Sequence, residues 1–422
     1  MKKKLFNPNF SFLVLGQMFS LIGNFTLKFA LSMYVLEQTG SAVVFAGMLT
    51  MAMLPTILLS PFGGILADRW NRRNIMVCLD TISCVIVFAS GKLLTVYNDI
   101  VVISALLIVL SVLGAFESPT VQACVPQMQT NDNILKGNAV VNQVTAIASF
   151  ITPFLGSIFY TAFGLKPVLY ATVGCFFITA VFECFIKLDY EKPSEKKRML
   201  AIVKYDFSVS IRFLFKEQRN ILKLLLLAAL VSFFLSGNVI VGFPYLVRTV
   251  LGLSAEHYGA AESAMGIAAI LGGLSVSLLA NKLKLDNLYI PLLILGLCLI
   301  PIGGVFLLSN NTFLKYLILT AMFCICQIAC SIFSIYALSI ILAKTPQYLT
   351  GKVMAFVTTI SMCAQPLGQI LYGFLFDAVS INVYMVLIPS GAVVCVIALL
   401  SVSFFRKMND AEIEKNMSNV EM

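Results

Sequence analysis

The sequence predicts an all-α membrane protein with twelve transmembrane helices in two six-helix pseudo-repeats. Three observations carry this reading. Of 422 residues, 59% are hydrophobic and only 12% charged, with a mean hydropathy of +0.94. A soluble domain carries roughly 25% charged residues, so the bilayer must be the solvent here. The apolar residues also fall into runs that reach the ~20 residues needed to cross a bilayer. One long polar gap, residues 188–220, divides these runs six and six.

In chain order the expected spans are 10–36, 41–66, 74–95, 100–126, 134–163, 167–187, 221–249, 257–280, 288–308, 312–343, 350–377 and 381–405. The first follows Met-Lys-Lys-Lys-Leu-Phe, a basic start like that of a signal peptide. Its apolar run is too long and has no small-residue cleavage site, so it reads as a retained first helix. The resulting organisation is an N-terminal bundle (1–187), a linker (188–220), a C-terminal bundle (221–405) and a short polar tail (406–422), expected to fray. Within the linker, Leu200, Val203, Phe207, Ile211 and Leu214 share one helical face, with Lys204, Arg212, Lys216 and Arg219 as a basic complement. That pattern suits a helix lying on the membrane surface, or simply a tether.

Charge sets the orientation. With the N-terminus in the cytoplasm, nearly all of the 29 Lys and Arg fall on the cytoplasmic side; the exceptions are Lys28, Lys92, Lys166, Arg248 and Lys315. An even number of spans then places both termini there. The net charge of +9 does not indicate nucleic acid, because the basic residues sit in short gaps between apolar runs. The 11 cysteines have no metal-ligand spacing and His257 is the only histidine. Buried cysteine is a small hydrophobe, so neither a metal nor a disulfide framework is expected. No phosphate-binding loop and no Ser/His/Asp set is present, which argues against an ATP-driven pump or an enzyme and leaves no cofactor to expect.

The halves echo one another. Pro153-Phe-Leu-Gly156 in the fifth span matches Pro366-Leu-Gly368 in the eleventh, and Leu135-Lys-Gly137 matches Leu349-Thr-Gly351. Proline frees a backbone carbonyl and glycine permits close packing, so both pairs are candidate kinks.

The second-to-third loop is the most specific feature: Gly63-Gly64-Ile-Leu-Ala-Asp68-Arg69-Trp-Asn71-Arg72-Arg73. It resembles the corresponding loop of the major facilitator superfamily, Gly-x-Leu-Ala-Asp-Arg-x-Gly-Arg-Arg. Asn71 stands where that pattern has a glycine, and asparagine tolerates left-handed backbone. Glu37-Gln-Thr-Gly-Ser41 and Tyr348-Leu-Thr-Gly-Lys352 extend the likeness to the bacterial macrolide-efflux-type branch. The resemblance implies a monomeric transporter of the bacterial inner membrane, its partners being a small-molecule substrate, protons and membrane lipids. It also implies a latch of Gly64, Asp68, Arg69, Arg72 and Arg73 on the cytoplasmic side. Gly63 and Gly64 would admit a neighbouring helix, Asp68 would face the helix start near Thr350 and Gly351, and the arginines would meet acids such as Asp80 or Asp132. Alternatively, the arginines only enforce topology. The matching loop of the second half, Ala280 to Lys284, lacks the acid.

Ionisable residues at membrane depth are functional candidates by default. Glu117 lies in the fourth span, ~13 Å from its inner end at 1.5 Å per residue. A carboxyl there is suited to taking up and releasing a proton, or else is simply paired within the bundle. Ser111 occupies the place where many drug exporters of the superfamily carry an arginine. Lys28 sits some 14 Å from Glu117 in depth on the same rise, which argues against a direct ion pair. It would meet an anionic substrate group or extend outward to the interface. Gln17, Asn24 and Lys28 fall near one helical face, as expected beside a wet cavity. Glu262, in a stretch Tyr258-Gly259-Ala-Ala-Glu262 that resembles macrolide and siderophore exporters, either carries protons or pairs with Arg248.

The expectation is a secondary transporter, coupled to protons and exporting amphipathic molecules by alternating access. Its cavity would be lined by Asn24, Lys28, Glu117, Asn238, Gln327 and Ser331, with Glu117 and Glu262 as proton-coupling candidates. The alternative is a lipid, lysophospholipid or other metabolite facilitator of the same fold.

Overall fold

The computed structural model describes residues 5–94, 96–129, 132–188, 219–279, 285–380 and 382–420. Among them are twelve long helices and no strand: α1 (Pro8–Thr39), α2 (Ala42–Arg69), α3 (Arg72–Leu93), α4 (Asp99–Met128), α5 (Asp132–Phe163), α6 (Leu165–Cys184), α7 (Arg219–Val250), α8 (Ala255–Leu279), α9 (Tyr289–Leu308), α10 (Thr312–Lys344), α11 (Gln347–Val379) and α12 (Tyr384–Val420). Eleven are long and apolar enough to cross a membrane by length and composition, and α11, with 33 residues, has the length as well. Large apolar side chains point outward, Leu278 being 84% and Leu308 86% exposed, as expected of a chain solvated by lipid.

Local chemistry sets the helix ends. Asn7 caps α1 by accepting from Phe10 N at 2.9 Å, with Pro8 at the first helical position, and Gly40 closes the helix in left-handed geometry (φ 59°). Asn98 and Asn311 cap α4 and α10 in the same way. Asn71 does not adopt the left-handed backbone expected of it. Its φ is −64° and its side chain accepts from Arg73 N, making it the N-cap of α3. A residue with a short acceptor side chain replaces glycine there by capping rather than by turning.

The chain forms two compact units. Unit 1 comprises Met1–Gly40, Gly47–Tyr205 and Leu253–Ser263; unit 2 comprises Ser41–Ala46, Asp206–Gly252 and Ala264–Met422. In unit 1, α6 packs on α1 and α3, and α5 on α1. Glycines on α1 make this possible. A Cβ at Gly23 would lie 2.8 Å from Cys175 Cβ, and Thr172 and Thr179 donate to the Gly23 and Gly16 carbonyls at 3.3 and 3.0 Å. One end of the bundle is closed by an apolar cluster that includes Phe10, Leu13, Met76, Val121 and Ile186.

In unit 2, α9 packs on α12 and α10, and α11 on α7. A Cβ at Gly391 would lie 2.7 Å from the Gly296 carbonyl, so α9 and α12 cross backbone to backbone. The unit also caps the start of α2. Ser41 Oγ accepts from Val44 N at 3.2 Å, while Asp377 of α11 accepts from Ser41 Oγ, Ala42 N and Val43 N at 2.5, 2.7 and 3.1 Å.

Two features differ from the expected pattern. The seventh helix contains π turns at Ser236–Gly242 and Leu246–Val250. Tyr372 and Phe376 press on Gly237 and Gly242, where a Cβ would overlap their rings, and the widened turn accommodates them. The last helix runs past the expected span end to Val420, through residues such as Ala411, Glu412, Glu414 and Lys415 that favour helix. The linker helix expected within Met199–Asn220 lies outside the described residues, except that Arg219 and Asn220 already begin α7.

Candidate functional site: a buried polar string in unit 1

Gln17, Ser20, Asn24 and Lys28 recur at i, i+3, i+7 and i+11 on the unbroken helix α1, which gathers them on one face. Three acids from three other helices meet that face. Ser20 Oγ lies 3.2 Å from Asp80 Oδ1 of α3 and 3.2 Å from Glu117 Oε1 of α4. The Asp80 and Glu183 carboxyls lie within hydrogen-bonding reach of each other. The Gln17 amide lies beside Glu117, and its Nε2 is buried without a hydrogen bond. Ser20, Asp80 and Glu183 are each 1% exposed and Gln17 is 6% exposed. Asn24 is half-buried, and its Oδ1 has no hydrogen-bond partner.

Lys28 and Glu117 lie within electrostatic range of each other. Cα–Cβ bonds tilt toward a helix N-terminus. Helices α1 and α4 enter the bilayer from opposite sides, so the two side chains lean toward a common level. The string from Gln17 to Lys28 covers ~16 Å along α1 at 1.5 Å per residue.

Two arginines of the loop bind backbone carbonyls. Arg72 donates from Nε to Ala67 O at 2.8 Å and from Nη1 to Ala123 O at 2.7 Å, and Arg73 donates from Nη2 to Cys184 O at 2.5 Å. These carbonyls lie near the C-terminal ends of α2, α4 and α6, where the helix dipole favours a cation. Asp80 is no partner for them. It lies two turns into α3, ~12 Å beyond Arg72 on the helical rise, and turns into the bundle. Gly63 does admit a neighbour, since a Cβ there would overlap the Ala115 carbonyl of α4, but Gly64 faces open space. The side chains of Asp68 and Asp132, and residues 280–284, lie outside the described set; Arg69 ends α2.

The partner of Glu262 is Tyr258, one turn earlier on α8, and its Oε2 is buried without a hydrogen bond. Tyr258 stacks on Phe29 at 5.5 Å between ring centroids, and a Cβ at Gly259 would lie 2.6 Å from the Pro153 carbonyl. The two proline–glycine echoes play the same packing role. Gly156 of α5 seats Phe29 of α1, and Gly368 of α11 seats the Phe233 backbone of α7, with Pro153 and Pro366 inside their helices.

Among the unit 2 candidates, Asn238 is buried in the π segment of α7. It donates from Nδ2 to Phe234 O at 3.0 Å and leaves Oδ1 without a partner. Ser331 packs against Gly272 of α8, where a Cβ would lie 2.8 Å from it, and Gln327 is half-buried one turn earlier on α10.

Glu183 and Ser20 are the residues that sequence reasoning missed, and Asp80 was assigned the wrong partners. The intramembrane-acid rule flags Asp80 and Glu183 equally with Glu117, but both stand near span ends, where an acid reads as solvated.

The family model of the Major Facilitator Superfamily matches residues 13–369. The macrolide efflux protein A of Streptococcus pyogenes is 24% identical over 91% of this chain and 93% of its own length. The multidrug resistance protein MdtG of Dickeya zeae is 26% identical over 69% of each. Crystal structures of a peptide transporter (TM-score 0.75, 14% identity, 97% of both chains) and a D-xylose–proton symporter (TM-score 0.68, 12% identity, 92% of this chain and 96% of that one) share the fold. A multi-pass helical protein in which a family-wide match coincides with that loop and that fold is no enzyme: the chain belongs to the Major Facilitator Superfamily of membrane transporters.

Proposed function

We propose that this transporter is a proton-coupled exporter of amphipathic organic molecules, working by alternating access in a bacterial inner membrane with both termini in the cytoplasm. The observation that carries the reading is Glu117, held inside unit 1 between the Ser20 hydroxyl and the field of Lys28. An ionised Glu117 balances the lysine. A proton on Glu117 leaves the ammonium uncompensated in an apolar bundle, which is costly, so the two protonation states favour different environments for this site. A ligand shifts a conformational equilibrium only through such differential interaction. The macrolide and multidrug relatives support the substrate class. Glu262, with its unpartnered Oε2, is the second candidate for proton coupling.

The test is transport in proteoliposomes with a macrolide and an imposed pH gradient. Glu117→Gln abolishes gradient-driven export while substrate counterflow continues; Glu262→Gln, assayed in parallel, reports whether the second acid contributes. Gradient-driven export at the wild-type rate by Glu117→Gln removes Glu117 from the mechanism.

An apolar cleft of about 450 Å³ in unit 1, lined by Ile22, Thr26, Leu155, Phe159, Val168 and Cys175 among others, favours lipid movement as a second reading. It has room for an acyl chain. Lysophospholipid counterflow that ignores the pH gradient would select it.

A further inference from the structure

Beyond Glu117 itself, the interior of unit 1 gathers two more buried acids beside the same serine-bearing face of α1. Asp80 and Glu117 flank Ser20, and Glu183 lies beside Asp80. The cations on the elements packed here are Lys28, within range of Glu117, and Arg72 and Arg73, whose guanidiniums are bound to the carbonyls of Ala67, Ala123 and Cys184. The remaining titratable neighbours are thiols: Cys84 beside Asp80, and Cys124 and Cys184 beside Glu183. Burying an unbalanced carboxylate costs far more than protonating it.

Hydrogen-bond accounting gives the same answer independently. Asp80 Oδ2 and Glu183 Oε2 are buried with no donor, although the two carboxyls lie within reach of each other. Two carboxylates are acceptors only and cannot satisfy one another, whereas one proton turns their contact into an O–H···O bond. Ser20 Oγ has a single proton but contacts carboxyl oxygens on both sides at 3.2 Å. That proton can serve only one of them fully, and a proton on the other carboxyl would let Ser20 accept from it. Gln17, 6% exposed and with Nε2 unpartnered beside Glu117, offers a donor to whichever oxygen is ionised.

We propose that Asp80 and Glu183 share a stored proton and that the Ser20 hydroxyl passes it to and from Glu117, so that the proton path runs from the end of α6 along α1 to the level of Lys28. The protonated Asp80 carboxyl first rotates so that the oxygen bearing the shared proton faces Ser20, and that O–H bond then breaks as a new Ser20 Oγ–H bond forms. The original Ser20 Oγ–H breaks as Glu117 Oε1–H forms. One negative charge moves from Glu117 to the Asp80–Glu183 pair, and no other reactant is needed. Glu183, at the end of its helix but 1% exposed, exchanges its proton with water only when the apolar cluster around Phe10 and Ile186 opens. This rests on the proton-coupled reading and adds to it the residues that deliver the proton.

The experiment combines infrared difference spectroscopy of the purified full-length protein, titrated with pH, and gradient-driven export in proteoliposomes. Wild type is expected to show a protonated-carboxyl band at neutral pH that Glu183→Gln and Asp80→Asn each diminish while Glu117→Gln leaves a residual band. Ser20→Ala is expected to slow gradient-driven export by roughly tenfold or more, and Ser20→Thr, which keeps the hydroxyl, restores it. Loss of coupling in Glu117→Gln together with wild-type rates in Ser20→Ala overturns the relay and leaves the proposed function standing. A wild-type spectrum without the band overturns the stored proton. Retained coupling in Glu117→Gln overturns the proposed function itself.

Discussion

Removing the Asp377 carboxylate by Asp377→Ala should loosen the first turn of α2. A helix start leaves its first amides without intrahelical acceptors. Here Asp377 takes those of Ala42 and Val43 at 2.7 and 3.1 Å, and Ser41 takes that of Val44 at 3.2 Å while donating to Asp377 at 2.5 Å. Loss of a capping side chain costs about 0.5–2 kcal/mol. Loss of an anion from the positive end of the helix dipole adds about 0.3–1 kcal/mol. Together these give ~1–3 kcal/mol of local destabilisation, or about 5- to 150-fold faster opening at 1.36 kcal/mol per decade. Hydrogen exchange read by mass spectrometry on peptides covering 41–46 measures this directly, without requiring reversible unfolding of a membrane protein. Asp377→Asn, which keeps one acceptor oxygen and loses the charge, should fall between. Exchange in Asp377→Ala at the wild-type rate, in protein whose other peptides are also unchanged, would refute the capping argument.

Gly23→Ala should cost about 1–3 kcal/mol through a clash at 2.8 Å with Cys175 Cβ, and Cys175→Gly in the same chain should recover most of it in a thermal-shift assay. Gly296→Ala meets the Cys395 and Gly391 backbones at 2.7 Å, so no side-chain truncation opposite should rescue it, and a Cys395→Ala double variant that did would disprove backbone-to-backbone crossing. Arg73→Ala removes one charged hydrogen bond to the end of α6, with an expected loss of about 1–2 kcal/mol; Arg73→Lys, without the planar fork, should recover only part, and full recovery would mean that charge alone matters.

Much of the fold was legible from composition because the bilayer imposes it. Apolar runs, their lengths and the central polar gap have few interpretations when every backbone amide must be satisfied within a helix. The periodicity of α1 correctly gathered Gln17, Asn24 and Lys28 on one face. The loop motif pointed to the right family, and the proline–glycine echoes marked matching packing sites on α1 and α7. Asn71 shows the limit of residue-level reasoning: substitution for glycine suggested a left-handed turn, but the chain used its side-chain oxygen as a cap.

What the chain could not announce in one dimension was which acid faces which helix. Spacing along α3, α4 and α6 locates Asp80, Glu117 and Glu183 in depth, but the rotation of each helix about its axis decides whether an acid meets lipid, an arginine or another acid. That rotation is set by contacts between residues far apart in sequence, such as Gly16 with Thr179 and Gly23 with Cys175 and Thr172. Hydropathy alone therefore determined that the protein lives in lipid and where it crosses. Only packed glycines and threonines brought two carboxyls to one serine and a third beside them, because close helix approach is a property of matched surfaces and not of either sequence segment by itself.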